Sequence, residues 1–229
     1  MGINRIADGA WLLALGNANT VLLEDGDGLV LVDAGFPGRE QVVFDALARL
    51  GKRPSDLRHL VFTHGHPDHI GSAAAILRAS GARTYMHAAD APLAESGGPF
   101  RLMTPARGLV QKLAFRMMWD PQQKIEPFHI DQHIADGETL PLAGGLQVIG
   151  TPGHDAGQVA LLWQKGRLLI AGDVFMNVLG LADPIGFEDE AEGRRSQRKL
   201  AAFDYDMAVF GHGRAITSKA SEHIRRKIG

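Results

Sequence analysis

The stretch Thr63-His64-Gly65-His66-Pro67-Asp68-His69 constrains this chain more than any other. Three histidines and a carboxylate fall within six residues, and they can turn toward one point only on a tight loop, because a helix scatters consecutive residues around its axis. Gly65 permits such a loop, and Pro67 brings no amide that would need a partner. The apolar run Leu60-Val61-Phe62 stands before the loop and a helix-like segment, Ile70 to Ser80, follows it. The pattern reads as a metal site at the mouth of a strand.

Composition limits what kind of metal site this is. The 229 residues include no cysteine, so disulfides, thiolate ligands and cysteine nucleophiles are excluded, and any metal must be held by nitrogen and oxygen. A hydrophobic share of 45% is enough for a sizeable core, and a net charge of -2 supplies no positive field for a nucleic-acid partner. The segment from Met1 to Asp8 carries charge early and lacks a signal peptide's apolar core. No apolar run approaches the roughly 18 residues that cross a bilayer. The expectation is a cytoplasmic protein without a membrane span, acting on a small-molecule substrate. A homodimer stays open.

Turn residues divide the chain into short apolar runs. Trp11-Leu15, Thr20-Leu23 and Leu29-Val32 are separated by Gly16-Asn17 and Asp25-Gly26-Asp27-Gly28, which predicts a β-meander. Arg39 to Leu50 carries a helical stripe that Gly51 ends, and Leu57 to Phe62 is the strand that delivers the histidine loop. A strand at Ala82-His87 and a short helix at Ala88-Glu95 follow. Strands return at Thr139-Leu142, Leu146-Ile149, Val159-Trp163 and Leu168-Ala171. A helix over Ala191-Phe203, a strand over Met207-Phe210 and a helix over Lys219-Ile228 close the chain. Strands and helices in this order predict a layered α/β fold with two sheets face to face and helices outside, as one domain over residues 1–229.

Residues 96–131 interrupt that rhythm. Leu109, Val110, Leu113, Ala114, Met117 and Met118 recur at helical spacing among Arg107, Lys112 and Arg116, which predicts an inserted amphipathic helix over Pro105-Trp119. Such a helix serves as a cap over a pocket, an oligomer face, a membrane-surface patch or an ordinary helix on its own core. As a cap, its Met117 and Met118 would supply a malleable apolar wall.

Three further polar residues stand where strands end. Thr151-Pro152-Gly153-His154 follows Leu146-Ile149, Gly172-Asp173 follows Leu168-Ala171, and Gly211-His212-Gly213 follows Met207-Phe210. Strand ends in a layered fold converge on one edge, so these side chains can meet the histidine loop. With Thr63 to His69, Gly153-His154, Gly172-Asp173 and Gly211-His212-Gly213 in this order, the sequence resembles the metallo-β-lactamase fold hydrolases. The resemblance runs from Val32-Asp33 to His212.

That resemblance implies a four-layer αββα sandwich with an inserted helical segment near 100–120. It implies a first metal on His64, His66 and His154, a second on Asp68, His69 and His212, and Asp173 between them. Five imidazoles and two carboxylates suit two divalent ions, Zn²⁺ first, with Fe, Mn or Co as substitutes. A water shared by two such ions ionises near neutral pH, and the expected chemistry is attack of that hydroxide on an ester-like carbonyl, of a lactone, thioester or similar small apolar substrate. Asp68 is expected to orient the nucleophile and carry its proton. Asp33 resembles a family position outside the ligand set and is expected to orient a ligand histidine, with Thr63 assisting. Met117, Met118, Phe175 and Met176 are the candidate substrate-pocket residues. His59, His87, His129, His133 and His223 match no ligand position.

The chain departs from several relatives. It has no cysteine ligand, only seventeen residues follow His212 where glyoxalase II-type thioesterases carry a helical extension, and Met176 stands where homoserine-lactone hydrolases place a tyrosine. Two alternatives to the two-metal hydrolase remain. One is a mononuclear iron persulfide dioxygenase using His64, His154 and Asp173. The other is a non-catalytic, ligand-sensing member of the fold.

Overall fold

Apolar runs that pair with their sequence neighbours build both halves of the fold. The computed structural model describes residues 3–229; Met1 and Gly2, with which the segment read as free of a signal peptide begins, lie outside them. Strands β1 (Ile3–Ala7), β2 (Ala10–Leu15), β3 (Ala18–Asp25) and β4 (Gly28–Val32) form an antiparallel meander. Helix α1 (Glu40–Arg49) leads to β5 (Leu57–Val61), parallel to β4. Helices α2 (Pro67–Ile70) and α3 (Ala73–Ser80) lead to β6 (Arg83–His87), parallel to β5, and α4 (Ala91–Ser96) follows. The insertion carries β7 (Thr104–Pro105) and α5 (Leu109–Met118), after which β8 (Gln132–Ile134) closes the first sheet in the order β1-β2-β3-β4-β5-β6-β8.

A second meander, β9 (Thr139–Leu140), β10 (Leu146–Gly150), β11 (Val159–Trp163) and β12 (Leu168–Ile170), forms most of the other sheet. The chain then pairs β13 (Gly186–Phe187) with β7, passes through α6 (Glu190–Ala201), adds β14 (Met207–Val209) parallel to β12, and ends in α7 (Ala220–Ile228).

Period-two alternation decides which face each side chain meets. Val21 and Leu23 of β3 face Val148, Leu161 and Trp163 of the opposite sheet, whereas Leu22 between them packs outward with Val43, Leu47 and Ile76 of α1 and α3. On the far side, Ala160, Leu162 and Leu169 lie under Leu200 of α6 and Ile224 of α7. The layers are therefore αββα, and β4 and β11, covered on both faces, are buried at every residue.

The single helix expected over Ile70-Ser80 is two, broken at Gly71-Ser72. A Cβ on Gly71 would lie 2.3 Å from Pro37 Cδ, and Ser72 Oγ donates to Phe36 O at 2.5 Å and accepts from Arg39 N at 2.8 Å. The 36–39 segment crosses there, and the helix gives way. The inserted helix starts at Leu109 because Thr104 and Pro105 are drawn into the β7–β13 ribbon.

Reading that helix as an ordinary one packed on its own core is also corrected. No residue of α5 is buried, and Leu109 and Met117 are 84% and 77% exposed. It rests mainly on the small β7–β13 ribbon, where Phe115 lies against Gly186.

Candidate metal centre

Strand ends from both sheets deliver the polar residues to one edge. β5 runs into the Thr63–His66 loop, with Asp68 and His69 on the opening turn of α2 and not on the loop expected to carry them, β4 runs into Asp33, β10 into His154, β12 into Asp173 and β14 into His212. Gly211 is required there for a steric reason. A Cβ on it would stand 1.9 Å from Asp173 Oδ1 and 2.6 Å from His69 Cε1.

The imidazoles are fixed from behind. His64 Nδ1 meets Thr63 Oγ1 at 3.0 Å, and that hydroxyl donates to Asp33 Oδ2 at 2.8 Å, so it accepts from the ring. His69 Nδ1 donates to Asp33 Oδ2 at 2.9 Å, His154 Nδ1 to the Gly186 carbonyl at 2.8 Å, and His212 Nδ1 to the Asn17 carbonyl at 2.7 Å. A carbonyl or carboxylate can only accept, which puts a hydrogen on Nδ1 and leaves Nε2 as the ring nitrogen that faces the site. Asp33 also accepts from Thr63 N, in a left-handed backbone conformation with φ 63°.

The site-facing ring nitrogens converge. His64, His66 and His154 bring donor atoms within 4.8 Å of one another, and so do Asp68, His69 and His212, and His64, His69 and Asp173. Asp173 Oδ2 lies 3.6 Å from His154 Nε2 and 3.2 Å from His212 Nε2, and Asp68 Oδ2 3.1 Å from His212 Nε2. Nε2 of His64, His69 and His154 and Oδ1 of Asp173 are buried without any hydrogen-bond partner. Four unpaired buried polar atoms aimed inward are costly in a protein alone and fit divalent-ion ligands.

Charge divides the cluster. Burial pushes His64 well below its usual value, with His69 and His66 adding to the effect, and lowers His66 and His154 to about 4. For His69, burial alone would lower the ring, but Asp68, Asp173 and Asp33 raise it to about 9. His212 is likewise raised well above its usual value by Asp173 and Asp68 against burial. The two carboxylates respond in kind: burial opposes ionisation, yet His69 and His212 hold both below the ordinary range.

Behind His66 lies a polar cluster that sequence reasoning missed. His66 Nε2 faces Asp155 Oδ2 at 3.4 Å, which leaves Nδ1 as the nitrogen free for a metal. Arg101 of the insertion donates to Asp155 Oδ1 at 2.7 Å, to Glu188 at 2.8 Å, to Ala89 O at 2.9 Å and to Asp90. Burial and the neighbouring Asp155 carboxylate push Asp90 up to about 8 despite Arg101. Gly157 gives Asp90 its room, since a Cβ there would lie 2.3 Å from that carboxylate. His66, Asp155 and Glu188 also approach within 4.8 Å, but the Arg101 guanidinium already occupies both carboxylates. Asp155 adjoins His154 in sequence, the only local signal; Asp90 and Arg101 reach it from 65 and 54 positions away.

A small pocket of about 50 Å³ over the donors is lined by His66, Asp68, His154, Asp173 and His212 and, opposite, by Met118, Trp119, Met176 and Ile185. Trp119 packs on His66 with ring centroids 4.7 Å apart. Of the expected pocket residues, Met118 and Met176 stand here. Met117 and Phe175 do not, and both are corrected. Successive helical residues diverge by 100°, which turns Met117 outward, while Phe175, 1% exposed, is core beneath Ala171, Val174 and Phe210. Among the unassigned histidines, His129 and His133 are exposed, and His59 meets Tyr85 at 3.1 Å away from the site.

A four-layer fold with this edge of histidines and aspartates defines a metallo-hydrolase type of protein. The family profile described as the metallo-beta-lactamase superfamily matches residues 13–212. The uncharacterized protein YobT of Bacillus subtilis is 30% identical over 94% of this chain and 91% of its own, and "Probable metallo-hydrolase YflN" of the same organism is 29% identical over 83% and 77%. In structure, a metallo-beta-lactamase from Novosphingobium pentaromativorans superposes with a TM-score of 0.76 over 99% of this chain and 86% of its own, at 22% identity. The chain belongs to the metallo-beta-lactamase superfamily.

Proposed function

We propose that this chain is a hydrolase that uses two divalent ions, zinc first, to cleave an ester-like bond, that of a lactone, thioester or similar small apolar substrate. The observation that supports this reading is the pairing of donor sets, His64-His66-His154 beside Asp68-His69-His212 with Asp173 Oδ2 close to a histidine of each. The first set would hold one ion, the second set the other, and Asp173 both. Bound there, the ions supply Lewis acidity toward a carbonyl oxygen and a water whose pKa falls toward roughly 7.

The chain's own residues do the rest. Asp33, Thr63 and the Gly186 and Asn17 carbonyls hold the rings in the tautomer that presents Nε2. Asp68 lines the pocket, about a fifth of its side chain accessible, and is the carboxylate placed to orient the attacking water and take its proton. Residues 96–131 act as a cap on a single domain, tied to the centre through Arg101, the β7–β13 ribbon and Trp119.

A single iron on His64, His154 and Asp173 is the alternative, and the presence of Asp68, His69 and His212 beside it does not by itself separate the two readings. The test is hydrolysis of a lactone and thioester panel before and after chelation. Activity that disappears with the metal, returns with zinc and falls at least a thousandfold in His64→Ala supports the reading. Turnover that persists in His64→Ala overturns it.

A further inference from the structure

Beside the donors, a cavity of about 640 Å³ opens between α5, the 176–185 segment and the turn joining β2 to β3. Met118, Met176, Ile185 and His212 line both this cavity and the pocket over the donors, so the two adjoin. Its other walls are mostly apolar, Val110 and Ala114 on the α5 side and Leu181 opposite. No lysine, arginine, aspartate or glutamate lines it among the described residues, and the pocket over the donors contains Asp68 and Asp173 but no lysine or arginine side chain.

We infer that this cavity receives an uncharged aliphatic arm of the substrate, with the ester-like carbonyl at the His212 end; the inference rests on the hydrolase reading above. The volume lies within the range of pockets that enclose whole small ligands and far exceeds the space over the donors. A carboxylate or phosphate on the arm would lie against Val110, Met118 and Leu181 with no lysine or arginine to receive it. Two polar groups at the mouth are already committed, the Asn17 backbone carbonyl and the Asn19 side-chain amide nitrogen. The Asn17 carbonyl accepts from His212, and Asn19 Nδ2 donates to the Phe210 and Gly213 carbonyls. An arm of methylenes asks for none of these groups and gains from every wall.

The arm is measured with two series of thioesters on the metal-loaded protein: acyl groups of two to eight carbons on 2-mercaptoethanol, and thioacetates of alkanethiols of two to eight carbons. Thiol release gives kcat/KM. In one of the two series it should rise roughly threefold per added methylene until the cavity is full. Replacing the terminal methyl of the best arm in that series by a carboxylate should lower it on the order of 100-fold. Ala114→Phe, which fills the cavity, should collapse the ratio of long-arm to short-arm turnover; Met117→Ser, on the outward face of the same helix, should preserve it. A flat response in both series, or an acid-tipped arm used as well as its methyl counterpart, overturns the inference.

Methyl alkyl ketones carry the same arm and carbonyl but no leaving group, and their binding is followed by thermal shift. If ketone affinity climbs with chain length while no thioester turns over, the hydrolase reading fails and the arm site stands. If thioesters turn over with no dependence on length, the arm site fails and the hydrolase reading stands.

Discussion

Asp155 Oδ2 and His66 Nε2 face each other at 3.4 Å, both buried and neither with another hydrogen-bond partner. The carboxylate is itself held by Arg101 on its other oxygen, so the ring that it steadies is tied to the insertion. Carboxylates behind a ligand histidine typically contribute ten- to a hundredfold to metal affinity. Asp155→Ala should weaken the ion on His64, His66 and His154 by roughly that factor in competition with a chromophoric chelator. Asp155→Asn, which keeps an acceptor, should lose less. Affinities unchanged within about threefold in both variants would show that the pair does not position His66.

Asp33 has three donors on one carboxylate: the Thr63 amide, the Thr63 hydroxyl and His69 Nδ1. Replacing it by alanine strands all three in the interior. Asp33→Ala should destabilise the protein by about 2–5 kcal/mol in denaturant titrations. A change below about 0.5 kcal/mol would mean that water or another group takes its place.

Gly211 is the residue that lets Asp173 and His69 come together. A methyl there overlaps both, so Gly211→Ala should displace the Asp173 carboxylate and lower bound metal by about one ion per chain, read by plasma mass spectrometry on folded protein. Full metal content in that variant would contradict Asp173's place between the ions.

Metal removal should change how stability depends on pH, with opposite signs for the two donor sets. In the metal-free protein His66 and His154 titrate near 4 and His64 well below its usual value, so the unfolded chain takes up protons first. Their contribution is present above about pH 6.5 and is lost as pH falls toward 4. His69, raised to about 9, and His212, also raised, bind protons more tightly when folded. Their contribution is full below about pH 6.5 and is lost as pH rises through 9. Coordinated Nε2 carries no proton, so metal-loaded protein should lack the alkaline loss. Melting temperatures from pH 6.5 to 9.5 with and without chelator test this, and equal alkaline slopes would contradict it.

The polar residues of the centre were legible because each follows closely on an apolar run: Phe62 before Thr63, Ile149-Gly150 before Thr151, Phe210 before Gly211. Strand direction is a local property, and it carries the residue after it to the edge. Asp155, Asp90 and Arg101 left no comparable trace, since their meeting depends on how an insertion folds back over a finished sheet edge. The split between Met117 and Met118, and between Phe175 and Met176, was hidden for a related reason. Neighbouring residues point in different directions, and only the docking of α5 on the β7–β13 ribbon decides which one meets the site. The break at Gly71 was invisible because Pro37, more than thirty residues earlier, causes it.

The central claim is that two adjacent donor sets hold two ions. The most direct measurement is metal identity and stoichiometry, by plasma mass spectrometry, on protein purified without added metal, for the native chain and for His212→Ala. About two zinc ions per chain, falling to about one in the variant, is the predicted result. One iron per chain in both would contradict it.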